Sequence, residues 1–339
     1  MASGAASRPH WRCAGQSIRG VAHVRKGLPN QDAVECSAEP SGEGLVMVAV
    51  ADGHGGALHF RSDIGASAAV KAAVAVLFAA APGEAVGEAI LDAWRKTTLS
   101  HLAEHPFSES DLDRKGAEQL ADNPLLAYGC TLLAAAVSQD AILYLQLGDG
   151  DILAIRPDGE TIRVFPRDPR FASGQTVSLC QPDAANEFQI RVDPHSDARP
   201  ALVLLSTDGY ANSFQTEDDF VRIGKDYLAL LGRDGMESVQ ERLPGFLTHA
   251  SEAGSADDIT LAILADMNAV RKIAPEEPLA LRFLDSYGET AGNSGPRLAI
   301  LCTCIVALLL LAAFFFFSSH ADRNAAHNAP VPAVQKRAR

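Results

Sequence analysis

Apolar and polar positions along the chain switch between two periods. "GLVMVAVADG" (44–53) gathers apolar, β-branched residues into a short run that stops at Asp-Gly, the signature of a buried strand ending in a turn. From Ser62 the pattern changes. "SDIGASAAVKAAVAVLFAAA" and "EAVGEAILDAWRKTTLSHLAEH" carry helical periodicity and predict two long helices packed together. Residues 106–124 are polar and acidic with a weaker pattern, so a loop or broken helix is expected there. The stretch 129–159 divides at Gln139-Asp140 and again from Gly148 to Asp151, which predicts three strands in an antiparallel meander. "ALVLLSTDG" repeats the apolar strand closed by Asp-Gly. Residues 218–231 and 236–250 read as helices, and "ITLAILA" (259–265) as a last strand.

Past this region the texture alters. Residues 269–297 mix Pro, Gly and charge and read as a linker. Leu298–Phe317 is an uncharged apolar run of 20 residues with no polar face, long enough as a helix to cross about 30 Å, one bilayer core. A transmembrane helix over 298–317 and a polar tail over 318–339 are expected. Arg282 and Arg297 precede the run, and Arg323, Lys336, Arg337 and Arg339 follow it, a slight bias toward a cytoplasmic tail. The opening "MASGAASRPHWRCAGQ" has no apolar core of a secretory signal, and a large domain without one stays where it is made. The expected placement is therefore a single pass through the inner (cytoplasmic) membrane with the large domain in the cytoplasm.

The formal charge of -13, with no long Lys/Arg cluster, argues against nucleic acid as a partner. Six cysteines without CxxC spacing read as reduced thiols, not as a zinc site or disulfide framework.

Four apolar strands end at, or begin from, an aspartate: Asp52, Asp149, Asp208 and Asp257. Each alone is an ordinary turn residue. Together they point to carboxylates converging at strand ends, where mutual repulsion is costly unless divalent cations offset it. Oxygen ligands without paired His or Cys favour a hard ion, Mg2+ or Mn2+.

The motifs "NQDA" (30–33), "VADGHGG" (50–56), "GCTLLAA" (129–135), "LGDGD" (147–151), "LSTDGYAN" (205–212) and "GSADDITL" (254–261) follow in an order that resembles the metal-dependent serine/threonine protein phosphatases of the phosphatase 2C family, their bacterial branch in particular. The resemblance implies an α+β fold over residues 1–268, a four-layer α-β-β-α sandwich of two mostly antiparallel sheets flanked by helices. It also implies two Mn2+ or Mg2+ ions, with a weaker third. Asp52 matches the aspartate that bridges the two ions, the Gly53 carbonyl a further ligand, and Asp208 and Asp257 the remaining carboxylates. Asp149, with Asp208, matches the third site. Asp32 resembles the acid that holds metal-associated water, and His54 the general acid that protonates the departing serine or threonine oxygen. Thr131 and Ser206 are expected to be structural.

The sequence departs from the family at several positions. Gln31 stands where many relatives have glutamate, Asp258 replaces the usual asparagine, and Asp151 sits where relatives often carry arginine. The basic residue that grips the phosphate aligns with Gly27, leaving Arg25, able to form a bidentate clamp, as a better substitute than Lys26. Two functions follow from different classes. One is a membrane-anchored phosphatase acting on phosphorylated proteins and opposing a Ser/Thr kinase. The other is a weak or inactive adaptor that keeps the fold and binds a phosphoprotein or kinase. A hydrolase of small phosphate esters would share the same metal centre. The loop "RDPRFASGQTVSLCQPDA" (167–184) bears on substrate choice, but nothing in one sequence ranks its residues.

Overall fold

A computed structural model describes residues 10–38, 44–79, 85–112, 116–173, 176–196 and 199–270. The expected membrane span, the polar tail and the linker beyond residue 270 lie outside the described residues.

In chain order the elements are β1 (Trp11–Ile18), α1 (Val21–Lys26), β2 (Ala33–Ala38), β3 (Val46–Ala51), α2 (Ser62–Ala79), α3 (Val86–Glu104), α4 (Glu109–Leu112), α5 (Ala117–Asp122), β4 (Leu132–Val137), β5 (Ala141–Leu147), β6 (Asp151–Ile155), β7 (Thr161–Arg163), β8 (Gln189–Pro194), β9 (Leu202–Ser206), α6 (Asp208–Ala211), α7 (Glu217–Ala253), β10 (Ile259–Asp266) and α8 (Met267–Val270). They build two five-stranded sheets, ordered β1-β10-β9-β6-β7 and β2-β3-β4-β5-β8. Every neighbouring pair is antiparallel.

The two-residue period of β3 explains the layering. Val46, Val48 and Val50 point into a core shared with Val203, Leu205, Ala262 and Leu264 of the facing sheet. Met47, Ala49 and Ala51 point the other way, into a second core with α2 and α3 that includes Ile90, Leu91 and Trp94. A strand buried on both faces has no polar alternation, which is why this one reads as a continuous apolar run. Alanines on α2 let the helix lie close, and the indole Nε1 of Trp94 donates to the Gly65 carbonyl at 3.0 Å. By length and composition α2 is apolar enough to cross a membrane, yet half of it is buried in this packing. The outer face of the first sheet is covered by α7, two helices end to end that kink at Gly235 (φ 80°). The order of layers is therefore helices, sheet, sheet, helix. The stretch 106–124, expected to be a loop or broken helix, carries the short helices α4 and α5.

One expectation is overturned. Residues 129–159 do supply three strands, but they are not a meander: β4 and β5 pair, whereas β6 leaves for the other sheet and pairs with β9 and β7. The crossing is made at Gly148-Asp149-Gly150. Gly148 has φ 111°, open to glycine at no steric cost, and a Cβ at Gly150 would stand 2.6 Å from the Ser206 carbonyl oxygen. The buried amide of Gln146 donates to both Gly148 and Gly150 carbonyls, at 3.1 and 2.9 Å, satisfying the backbone that the crossing strips from the ladder. Strands β1, β2 and β8 had no clear apolar signal in sequence; β1 is defined by its eight-residue register against β10.

On α7, Asp226 is buried, and burial pushes its carboxyl up to about 6, with Arg222 pulling the other way. A folded-state value above the ordinary 3.8 means that the fold takes up a proton as pH falls through this window, so stability from this group is present in acid and lost as pH rises through 6. Asp226→Asn is expected to raise stability by about 1–2 kcal/mol at pH 7.5 and to gain little at pH 4.5, as read from urea unfolding at the two pH values.

Candidate metal and active site

The end of β3 is pinned before the chain can turn away. The Asp52 amide donates to Thr131 Oγ1 (3.0 Å), Thr131 N–H donates back to the Asp52 carbonyl (2.8 Å), Gly53 N–H donates to the Gln31 carbonyl (3.1 Å) and His54 N–H to the Gly129 carbonyl (3.0 Å). These bonds aim Asp52 and His54 into a cavity of about 510 Å³ whose walls include Asp149 from the sheet crossing, Asp208 from the end of β9, and Asp257 from the approach to β10. Thus four distant chain segments deliver carboxylates to one space. No Lys or Arg is among the residues that line it.

Electrostatics follow from this crowding. The Asp52 carboxyl is held well above the usual carboxylate range, first by burial and then by Asp32 and Asp208. Burial and Asp208 likewise push Asp149 up. Asp32 is buried near Asp52 and does not line the cavity. Its Oδ2 accepts from the hydroxyls of Thr207 and Thr260, both at 2.8 Å, and burial raises its carboxyl despite those bonds. Asp208 also accepts from the Asn212 side chain at 3.0 Å.

The donor set suits a hard cation, since several oxygen donors stand together and, among the described residues, no Lys or Arg lines the wall. Among the described residues, however, no group of three His, Cys, Asp or Glu side chains is gathered as a ready-made metal cage. The carboxylates share a cavity without closing on one point.

His54 lines the cavity with its Nε2 buried and without a partner. Burial, then the neighbouring His59 with ring centroids 5.2 Å apart, push the imidazole down to about 4. His59, which the motif reading passed over, also lines the cavity; its Nδ1 donates to the Leu126 carbonyl at 2.5 Å. So do Thr176, Ser178, Cys180 and Gln181 of the 167–184 loop, which thereby forms one wall.

Arg25 is not brought to the site. It is exposed on α1 and absent from the cavity wall, because its short helix is turned outward and buries no residue. Arg167 is closer to the acids: it lines a second cavity, of about 300 Å³, whose walls also include Asp149 and Asp208. The arginine cluster explains Asp151. That buried carboxylate accepts from Arg163 Nε at 2.6 Å and from Arg167 Nη2 at 3.2 Å, and Glu217 pairs with both guanidiniums. Gln31, in place of glutamate, is buried and does not line the cavity; its Nε2 donates to Ser62 Oγ at 2.6 Å and to the His54 carbonyl at 3.4 Å.

The sequence profile of the family described as Protein phosphatase 2C matches residues 19–248. "Serine/threonine-protein phosphatase 3" of Escherichia coli (strain K12) is 26% identical over 201 residues, covering 59% of this chain and 73% of that protein. Among solved structures, a C. elegans sex determining protein superposes with a TM-score of 0.52 at 18% identity, covering 80% of this chain and 68% of that one. A bacterial serine phosphatase superposes with a TM-score of 0.50 at 13% identity, covering 79% and 100%. At these identities the solved structures bear out the two-sheet sandwich with its helices, the fold alone.

Gly53 is squeezed where the cavity floor is assembled. A Cβ there would stand 2.5 Å from the Gln31 carbonyl oxygen and 2.8 Å from that of Ser62, both backbone. Gly53→Ala is expected to lower stability by about 2 kcal/mol or more, seen as a fall in the midpoint of urea unfolding, because neither backbone can yield without moving β2 or α2.

Proposed function

This chain belongs to the protein phosphatase 2C family, and from that membership we propose that it is a metal-dependent protein-serine/threonine phosphatase that uses the four-aspartate cavity to hydrolyse phosphoserine and phosphothreonine. The single observation that carries this reading is the convergence of Asp52, Asp149, Asp208 and Asp257 on one cavity without a cation in its wall. Asp52, the Gly53 carbonyl, Asp208 and Asp257 would hold two Mn2+ or Mg2+ ions, and Asp149 with Asp208 a weaker third. When bound, such ions supply an acidified water near neutral pH and offset charge on the phosphoryl oxygens.

The chain's own residues do the rest. A water oxygen forms the new bond to phosphorus as the bond to the serine or threonine oxygen breaks, and the departing oxygen needs a proton. His54 stands in the cavity wall with a free buried Nε2 to supply it. A phosphate dianion beside that ring favours its protonated form, against the burial that otherwise keeps it neutral. Asp32, fixed by the hydroxyls of Thr207 and Thr260, takes the water-holding part. Arg167 takes the phosphate-facing role expected of Arg25, since it alone of the two lines a cavity shared with the acids. The domain boundaries at 268, 297 and 317, the inner-membrane span and an opposing Ser/Thr kinase complete the reading. The lack of a ready-made metal cage among the described residues favours, as the second reading, an adaptor that binds a phosphoprotein without hydrolysing it.

The full chain is expected to hydrolyse p-nitrophenyl phosphate with Mn2+ and to stop on chelation, with Asp52→Asn lowering kcat by about 100-fold or more. Equal rates from both proteins would support the adaptor. His54→Ala is expected to slow a phosphoserine peptide by about 100-fold or more, yet to change the aryl phosphate far less, because nitrophenolate departs without a proton. For the same peptide, Arg167→Ala is expected to raise KM about tenfold and Arg25→Ala to leave it nearly unchanged, as measured by initial rates. Membrane fractionation of cells expressing the chain with and without residues 298–317 checks the anchor.

A further inference from the structure

We propose that Asp258, paired with His23, is a positioning residue that holds separated pieces of the candidate metal site in register, and that an amide at 258 cannot replace it in this chain; the inference rests on the metal-site reading above. Asp258 is buried, and three donors converge on its carboxylate. Oδ1 accepts the Gly20 N–H at 2.6 Å, and Oδ2 accepts both the Gln31 N–H and the His23 Nδ1–H at 2.7 Å. Gly20 and Gln31 are the two ends of the segment that carries α1, and His23 lies inside it. One carboxylate therefore closes the whole segment onto the entrance of β10.

That closure reaches the site by two routes. Along the first, the Gln31 carbonyl accepts the Gly53 N–H at 3.1 Å, and Asp32 follows Gln31 in the chain. Along the second, the Asp258 N–H donates to Asp257 Oδ1 at 2.9 Å, and His23 Nε2 stands 3.8 Å from the same oxygen. Asp257 and Gly53, remote in sequence, thus meet through Asp258. Other ties are single bonds, among them Val21 N–H to Ser251 Oγ at 3.3 Å and Asn30 Nδ2 to Ser17 Oγ at 2.8 Å. α1 buries no residue, and its start is tied by the Ala22 N–H to the Ala256 carbonyl at 2.8 Å. There is no slack at this contact: a Cβ on Gly20 would lie 2.1 Å from the Asp257 carbonyl carbon. Ala256 itself is at φ 61°, the one non-glycine among the described residues in the left-handed region.

The donor count decides between acid and amide. An asparagine has one acceptor oxygen and an NH2 that only donates. With its oxygen toward Gln31, the NH2 faces the Gly20 N–H; turned over, it faces the Gln31 N–H. Either rotamer leaves a buried backbone donor unpaired. Two backbone N–H groups on opposite oxygens require a carboxylate, and the His23 Nδ1–H supplies the third donor that its buried oxygens need.

The test uses the full chain in detergent, with Asp258→Asn, His23→Leu and His23→Asn, the last keeping an N–H donor near the Nδ1 position. Mn2+ affinity is read by calorimetry, amide exchange over residues 19–32 and 52–54 by mass spectrometry, and Tm by scanning calorimetry. Asp258→Asn and His23→Leu are expected to weaken Mn2+ binding about tenfold or more and to speed exchange in both segments, with His23→Asn close to the unmodified chain. A lower Tm with unchanged Mn2+ affinity and exchange would make the pair merely structural and overturn the proposal. So would His23→Leu behaving like His23→Asn, which also decides the matter should Asp258→Asn not fold. If the unmodified chain takes up no Mn2+, the phosphatase reading fails. Exchange then judges the pair alone: faster exchange in the 52–54 segment supports it, and unchanged exchange there overturns it.

Discussion

Carboxylates brought together away from bulk water repel one another, and the repulsion at Asp52 is the constraint around which this molecule is arranged. Burial alone already disfavours its ionised form, and Asp32 and Asp208 add to the penalty. A fold selected only for stability would scatter such groups. Here the Asp52, Gly53 and His54 N–H groups donate to Thr131 Oγ1 and to the Gln31 and Gly129 carbonyls, which locks the strand end that presents Asp52 against local drift. A proton, or a hard divalent ion held by the oxygen donors, would relieve the repulsion.

The sandwich makes that convergence possible because both sheets contribute. Asp52 leaves the end of β3 in one sheet, while Asp208 and Asp257 flank β9 and β10 in the other. Asp149 sits where the chain crosses between them. The interior between the sheets is filled by valines, leucines and isoleucines on alternate positions, which keeps the strands in fixed relation and their ends at fixed separation. Rigidity of the apolar layer is thus transmitted to polar side chains that could not organise themselves.

Basic side chains stand beside the four-aspartate cavity. Arg163 and Arg167 offset Asp151 and Glu217 beside the site, and His23 hydrogen-bonds Asp258. In both places an acid departs from the family pattern, and in both a basic side chain meets it. None of these lines the four-aspartate cavity, though Arg167 lines the neighbouring one that shares Asp149 and Asp208.

Sequence alone settled the apolar strands and long helices, because burial on both faces of β3 and along α2 leaves a pattern that survives without context. It also exposed Asp52, Asp149, Asp208 and Asp257, since strand ends marked by Asp-Gly and Asp-Asp are local signals. Which sheet each strand joins was beyond it: β6 looks like the third strand of a meander until pairing with β9 draws it across. The weakly patterned strands β1, β2 and β8 owe their conformation to partners that the local chain does not carry. The same holds for Arg25, Arg167 and His23. A positive side chain has no periodicity, and whether it faces the acids is decided by the path of its loop, which depends on long-range contacts such as the bonds from Asp258 to Gly20 and Gln31. The sequence determined which residues could do chemistry; the tertiary structure decided which of them meet, because side-chain position is set by contacts hundreds of residues apart in the chain.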